Sequence, residues 1–376
     1  LRVLIKYLPE FVGMAIVVVC HWLLWLRVGK GSALRALGLG LSALVGIVGL
    51  AFEIQWVWKR VEMTEAVRWA RGCAIAWGMC SCGTAFMGWL AGSFRRPVDP
   101  SRRKLLQAAQ GAMVAAPAMV MGYGVFISRR DIRPVEVSVG IQGLPKDLDG
   151  LRIAQVSDIH YGIYLDRQAL AGAVRMANEF RPHLTVVTGD LITGAHDSLD
   201  DCLSELAQLR ADAGIYGCLG NHEIYAQCEE YATEEAARRG IWFLRGKNSE
   251  LRFGQARLNL AGVDYQKMHG DYLPDGKRLQ QSGAFNLLLS HNPDAFRVAA
   301  PQAWDLMLAG HTHGGQVTVE YLHQHVNFAR FFTPYVYGHY QEGKSHLFVT
   351  RGIGTVGVPA RIGAPPEVAL IKLCAT

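Results

Sequence analysis

The sequence predicts two parts of different class. Residues 1–133 read as an all-α bundle of about four transmembrane helices, and residues 134–376 as an α/β domain. Three observations predict this. Four apolar runs crowd into the first third of the chain. Beyond residue 134, short apolar strands alternate with helix-like stretches. The charge divides at the same place. Residues 1–133 carry 17 Lys+Arg against 6 Asp+Glu, whereas residues 134–376 carry 21 against 26.

The apolar runs span about 11–26, 36–58, 73–93 and 105–127. At a helical rise, each crosses or nearly crosses a hydrocarbon core of about 30 Å. Trp22, Trp25, Trp56, Trp58, Trp69 and Trp89 gather towards run ends, where interfacial anchors sit. Glu53, beside "WVWKR", reads as interfacial rather than as a proton relay. The densest basic loop is "SFRRPVDPSRRKLL" at 93–106. The positive-inside rule puts it in the cytoplasm, so the C-terminal domain is expected on the extracytoplasmic side of a bacterial-type inner membrane. The alternate loops count almost evenly in basic residues. The internal "SRRKLL" followed by an Ala/Gly-rich run resembles a twin-arginine export signal and decides the orientation.

The eight cysteines are scattered, with no C-x-x-C pair, so neither a zinc ribbon nor a disulfide framework is read. The acidic C-terminal part lacks the positive stripe that long nucleic acids require.

From residue 134 the texture changes. "PVEVSVGI" alternates as a strand. "GLRIAQVSDIH", "HLTVVTGD", "GIYGCLGNHE", "FNLLLSHNPD" and "WDLMLAGHTH" are apolar runs that each end in polar residues. Stretches 166–180, 198–210 and 229–239 read as helices. In such sheets ligands sit beyond the carboxyl ends of the strands.

Those ends supply Asp158, His160, Asp190, Asn221, His222, His291, His311 and His313. The set is carboxylate, carboxamide and imidazole, without thiolate. That chemistry suits two divalent ions, with Mn, Fe or Zn most fitting. Seven ligands are too many for one zinc and suit two ions that share a carboxylate. Two ions bring more positive charge than two carboxylates return. The surplus can hold an anionic phosphate and activate water. Any one of these residues alone would be a cap or a turn. Together, each after an apolar strand, they point to a metal centre.

The order D-x-H … G-D … G-N-H-E … H … G-H-x-H resembles the calcineurin-like metallophosphoesterases. The resemblance covers about 150–375. It implies a four-layer αββα sandwich with a dinuclear metal centre at one edge. By position, Asp158, His160 and His313 resemble the ligands of one metal, and Asn221, His291 and His311 those of the other. Asp190 resembles the bridge. His222 resembles a non-ligand histidine that binds phosphate or protonates the leaving oxygen. "GDLITG" carries Thr193 where protein phosphatases of the family carry a second Asp, which argues against that activity. "HNPD", "GHTHGGQV" and the closing "RGIGTVGVPARIGAPPEVALIKL" resemble a membrane-associated or exported YkuE-type branch.

The resemblance implies hydrolysis of a phosphodiester, phosphomonoester or pyrophosphate bond in a small-molecule or lipid-linked substrate, such as UDP-diacylglucosamine. A small-nucleotide phosphodiesterase and a non-catalytic membrane sensor are the alternatives. "YLHQHVNFARFFTPYVYGHY" reads as an aromatic hairpin packed on its own domain, with a rim loop touching substrate as the other reading. His323, His325, His339 and His346 lie outside the ligand pattern. Arg351 and Arg361 read as surface arginines, with phosphate contact as the alternative.

Overall fold

A computed structural model of the chain describes residues 8–28, 33–51, 64–93, 100–266, 272–321 and 324–376. The chain divides into two compact units. One comprises residues 1–127 with 357–360, the other residues 128–356 with 361–376.

The first unit contains α1 (Leu8–Val28), α2 (Ala33–Ala51), α3 (Glu65–Ser93) and α4 (Pro100–Phe126). Each of the four expected apolar runs lies wholly or in part on one of these helices. The expected second run extends past α2 into residues 52–63, which hold Glu53, Trp56 and Trp58 and lie outside the described residues. Among the described residues, Glu65–Leu90 and Lys104–Arg130 are long and apolar enough to cross a membrane. Phe11–Leu23 and Leu37–Ala51 are shorter apolar helices.

Small residues let these helices approach closely. A Cβ at Gly46 of α2 would lie 3.0 Å from the Cα of Gly78 on α3. Polar groups join three of the helices. His21 of α1 donates from Nδ1 to the Val17 carbonyl (2.7 Å) and sets Nε2 3.0 Å from Ser42 Oγ on α2. Trp77 of α3 donates to the same Oγ at 3.1 Å. Large apolar side chains such as Ile16, Leu41, Trp77, Phe86 and Met119 remain exposed on the outer faces.

The second unit is built on two six-stranded sheets. The first sheet has the order β1-β14-β2-β3-β4-β5. Its strands are β1 (Arg133–Ile141), β2 (Arg152–Val156), β3 (Leu184–Thr188), β4 (Ile215–Cys218), β5 (Ile241–Phe243) and β14 (Glu367–Ala375). The second has the order β12-β13-β9-β8-β7-β6. Its strands are β6 (Lys247–Phe253), β7 (Ala256–Gly262), β8 (Phe285–Leu289), β9 (Leu306–Ala309), β12 (Gly338–Glu342) and β13 (Ser345–Val349). A separate hairpin pairs β10 (Thr318–Tyr321) with β11 (Gln324–Asn327).

Period-2 alternation sorts the strand residues between layers. Ile153, Val186, Leu287, Leu289, Leu306 and Leu308 fill the space between the sheets. Their neighbours Ala154, Val156 and Val187 pack outward. That outer layer is α5 (Arg167–Glu179), α6 (Leu199–Leu206) and α8 (Glu229–Arg238), close to the three expected helices. On the opposite side, Leu288, Met307 and Ala309 pack with Phe296, Trp304 and Tyr335. The layer order is therefore helix, sheet, sheet, helix. The outer layer of the second sheet is thin. Its only described α-helix between β8 and β9 is α9 (Phe296–Ala299).

Strands β2, β3 and β4 run parallel, as do β7, β8 and β9. Their carboxyl ends deliver the polar residues to one edge of the sandwich.

Candidate metal centre

Asp158 and His160 follow β2, and Asp190 follows β3. Asn221 and His222 open the short helix α7 (Asn221–Ala226) after β4. His291 follows β8, and His311 and His313 follow β9. Asp158, His160, Asp190, His311 and His313 all have positive φ, between 47° and 75°. Each such residue costs about 1–3 kcal/mol and persists only where its surroundings hold it. Five of them at one site mean that the fold sets aside stability to aim these side chains.

The donor atoms form overlapping groups. Asp158, His160 and His313 converge, as do Asp190, His291 and His311, and His160, Asp190 and His222. Within each group the donor atoms lie within 4.8 Å of one another. His160 Nε2 and His313 Nε2 are 3.0 Å apart. His313 Nε2 is 3.5 Å from Asp158 Oδ1. On the other side, His311 Nδ1 is 3.2 Å from His291 Nε2. Asp190 Oδ2 stands between, 3.0 Å from His291 Nε2 and 3.6 Å from His160 Nε2. The two histidines of "GHTH" thus diverge, His311 towards one group and His313 towards the other.

Two observations test whether this set suits divalent ions. Asp158 Oδ2 and Asn221 Oδ1 are buried without a hydrogen-bond partner. A buried polar atom left so is costly unless something outside the protein satisfies it. Imidazole nitrogens also face one another, His160 Nε2 to His313 Nε2 at 3.0 Å and His311 Nδ1 to His291 Nε2 at 3.2 Å. Oxygen and imidazole donors of this kind fit Mn, Fe or Zn.

Burial and neighbouring charge set the protonation of these groups. Burial pulls His311 down to about 3 and holds His160 and His313 well below the ordinary histidine value. Burial also lifts Asp158 to about 6. It would depress His291 too, but the adjacent Asp190 carboxylate overrides it and raises His291 to about 10. Asp190 is pushed up by burial, yet His291 and His222 outweigh that and hold it well below the carboxylate range.

Residues outside the expected set hold the candidate ligands. His291 donates from Nδ1 to the Thr188 carbonyl (2.6 Å), which turns Nε2 towards Asp190. Glu223 is fully buried and accepts from the backbone of Gly220 (2.7 Å), Leu191 (2.7 Å) and Asp190 (3.1 Å). It ties the β3 and β4 ends together. "GNHE" displays this residue, but nothing in the sequence shows that its carboxylate reaches β3. Close approach also fixes two glycines. A Cβ at Gly220 would strike the Asp190 carboxylate, and one at Gly310 the Asp158 carboxylate.

Tyr265 was not expected at the site. Its ring centroid lies 5.5 Å from that of His311. Arg361 corrects the surface reading of this residue: it is fully buried. Its guanidinium donates to the carbonyls of Arg351 (2.8 Å), His313 (2.8 Å) and Gly354, and lies 3.0 Å from His313 Nδ1. It braces the closing loop against His313, a candidate ligand, rather than facing solvent. Arg351 pairs with Glu367 at 2.8 Å. His339 and His346 stack on each other in the pairing of β12 with β13. His323 lies outside the described residues, as does the side chain of His325.

Comparison with known proteins decides the family. The calcineurin-like phosphoesterase family model matches residues 151–339. The chain belongs to the calcineurin-like phosphoesterase family. It is a hydrolase of phosphoester bonds, and the family uses divalent metals. The chain is 28% identical over 288 residues to the uncharacterized metallophosphoesterase YkuE of Bacillus subtilis, a match covering 73% of this chain and 98% of that protein. It is 31% identical to the transmembrane protein with metallophosphoesterase domain of Danio rerio, covering 68% of this chain and 60% of that protein. It is also 28% identical to the phosphodiesterase YaeI of Escherichia coli, covering 59% and 82%.

Proposed function

We propose that this phosphoesterase holds two divalent ions and is anchored in a bacterial-type inner membrane. Its substrate in this reading is a lipid-linked or small-molecule phosphodiester, phosphomonoester or pyrophosphate. The observation that carries the two-ion reading is the position of Asp190. Its Oδ2 is near His291 of one donor group and His160 of another. Asp158, His160 and His313 hold one ion in this reading, and Asn221, His291 and His311 the second. Such ions supply Lewis acidity and lower the pKa of water.

His222 acts on the leaving oxygen. Its Nδ1 donates to the Thr193 carbonyl at 2.7 Å, so Nε2 is the atom left to exchange a proton. Asp190 also holds the backbone at this residue, since the His222 amide donates to Asp190 Oδ1 at 3.0 Å.

The two long apolar helices and the exposed apolar outer faces support membrane anchoring. The zebrafish relative's description as a transmembrane protein supports it as well. In this reading the chain has four spans, and with the basic loop at 93–106 in the cytoplasm the catalytic domain is extracytoplasmic. Tethering confines enzyme and lipid to one surface, which favours a lipid-linked substrate such as UDP-diacylglucosamine.

The experiment is hydrolysis of a lipid-linked pyrophosphate and an aryl phosphodiester by the full chain with added Mn, Zn or Fe. Preference for the lipid substrate supports the reading. Efficient cleavage of the aryl ester alone removes its lipid part. Topology is read from a reporter fused after Thr376, and cytoplasmic activity of that reporter overturns the orientation.

A further inference from the structure

We propose that a cavity beside His311 and His313 is a subsite for a hydrocarbon substituent of the phosphoester substrate. The inference rests on the same metal site being the place of hydrolysis. The cavity has a volume of about 330 Å³. His311 and His313 both line it, so whatever fills it lies beside both donor groups. Pro293, Ala329, Phe332 and Val356 supply apolar wall.

The polar side chains in the lining are engaged by the domain itself. Asn292 accepts from the Asp294 amide (3.0 Å) and donates to the Gln266 carbonyl (2.7 Å). Asp294 accepts from Thr333 Oγ1 at 2.7 Å. Thr312 donates to the Val336 carbonyl. Gln316 exchanges two hydrogen bonds with the backbone of Val356, each 3.1 Å long. A sugar or a base entering here would give up water for walls whose polar groups are already satisfied. A hydrocarbon loses no hydrogen bonds and gains burial. The volume lies at the low end of the range for small-molecule sites, about 300–1,000 Å³. It has room for a hydrocarbon chain of several carbons, and the character of its walls, not its size, selects against a nucleotide.

The test uses p-nitrophenyl esters of methyl, butyl and hexyl phosphate, all water-soluble, with the full chain and added Mn. Burial of each methylene raises kcat/KM about fourfold until the cavity is full. The hexyl-to-methyl ratio should therefore be large in the wild type. It should collapse in Ala329→Trp, which fills the cavity, and shrink in Phe332→Ala, which opens a wall at a part-exposed position. Calorimetric binding of hexylphosphonate and methylphosphonate should give the same ranking without turnover. A wild type that cleaves all three esters alike overturns the subsite and leaves the phosphoesterase site standing. A chain-length preference unchanged in both variants also overturns it. Failure to cleave any ester overturns the reading of the metal site along with the subsite.

Discussion

The main-chain carbonyl of Thr193 accepts a hydrogen bond from His222 Nδ1 at 2.7 Å. The Thr193 hydroxyl lies 3.3 Å from His160 Nδ1. One residue of the loop after β3 therefore meets both a candidate ligand and the candidate acid. The acceptor for His222 belongs to the backbone, so Thr193→Val leaves it in place. Removing the imidazole itself has a different effect. His222→Ala should lower kcat by about 10²- to 10⁴-fold, the usual worth of a positioned acid or base. Metal content, read by mass spectrometry, should stay at the wild-type level. Normal turnover in this variant removes His222 from the chemistry.

Asp190 is the residue whose loss should reach both donor groups. Asp190→Ala takes away the carboxylate near His291 and His160 together. It also leaves the His222 amide without its acceptor. Metal occupancy and hydrolysis should both vanish, whereas His311→Ala should spare part of the metal content. A variant at Asp190 that keeps two ions per chain would falsify the shared-carboxylate assignment.

The raised pKa of His291 predicts how pH acts on the metal-free protein. Asp190 lifts it from about 6.5 to about 10 against the opposing effect of burial. A histidine with a raised native value binds more protons folded than unfolded. Its stabilisation is whole below about pH 6.5 and is lost as pH rises through about 10. Urea melts of the stripped protein should therefore weaken across that window. Asp158, near 6, and His311, near 3, change state below it. A metal ion must take the same Nε2, so its affinity should rise about tenfold per pH unit over this range. Calorimetry in buffers of different ionisation enthalpy should register one proton released. A pH-independent affinity would contradict the assignment of His291 as a ligand.

Arg361 predicts a structural penalty with a functional echo. Burial pulls its guanidinium down to about 10, and it remains charged at neutral pH. Arg361→Met would strand the carbonyls of Arg351 and Gly354, at about 1–3 kcal/mol for each group left unsatisfied, while the His313 carbonyl keeps the Gln316 amide at 2.9 Å. We expect a lower urea midpoint and weaker metal binding on the His313 side. Arg361→Lys should rescue little, because an ammonium cannot reproduce the planar fork. Wild-type stability in Arg361→Met would show that the loop is held by other contacts.

The sequence by itself determined the strands and their polar ends. "LTVVTGD" and "LMLAGHTH" are apolar runs on β3 and β9 that place donors two to four residues beyond the strand ends. Local periodicity and turn chemistry are enough for that, since each depends on neighbours along the chain. The same applies to the four apolar helices, whose composition alone sets their character. What only the tertiary structure decided is which donors meet. His313 comes to lie beside Asp158, and His311 beside His291, because left-handed backbone after β9 turns the two rings apart. Arg361 reads as a surface residue until the closing loop folds over it. Glu223 holds the site through bonds to backbone on another loop, and Thr193 through its own main-chain carbonyl. Main-chain donors and acceptors look the same at every position of a sequence, so such bonds leave no residue signature. Their partners are fixed only when two sheets pack face to face and bring distant loops to one edge.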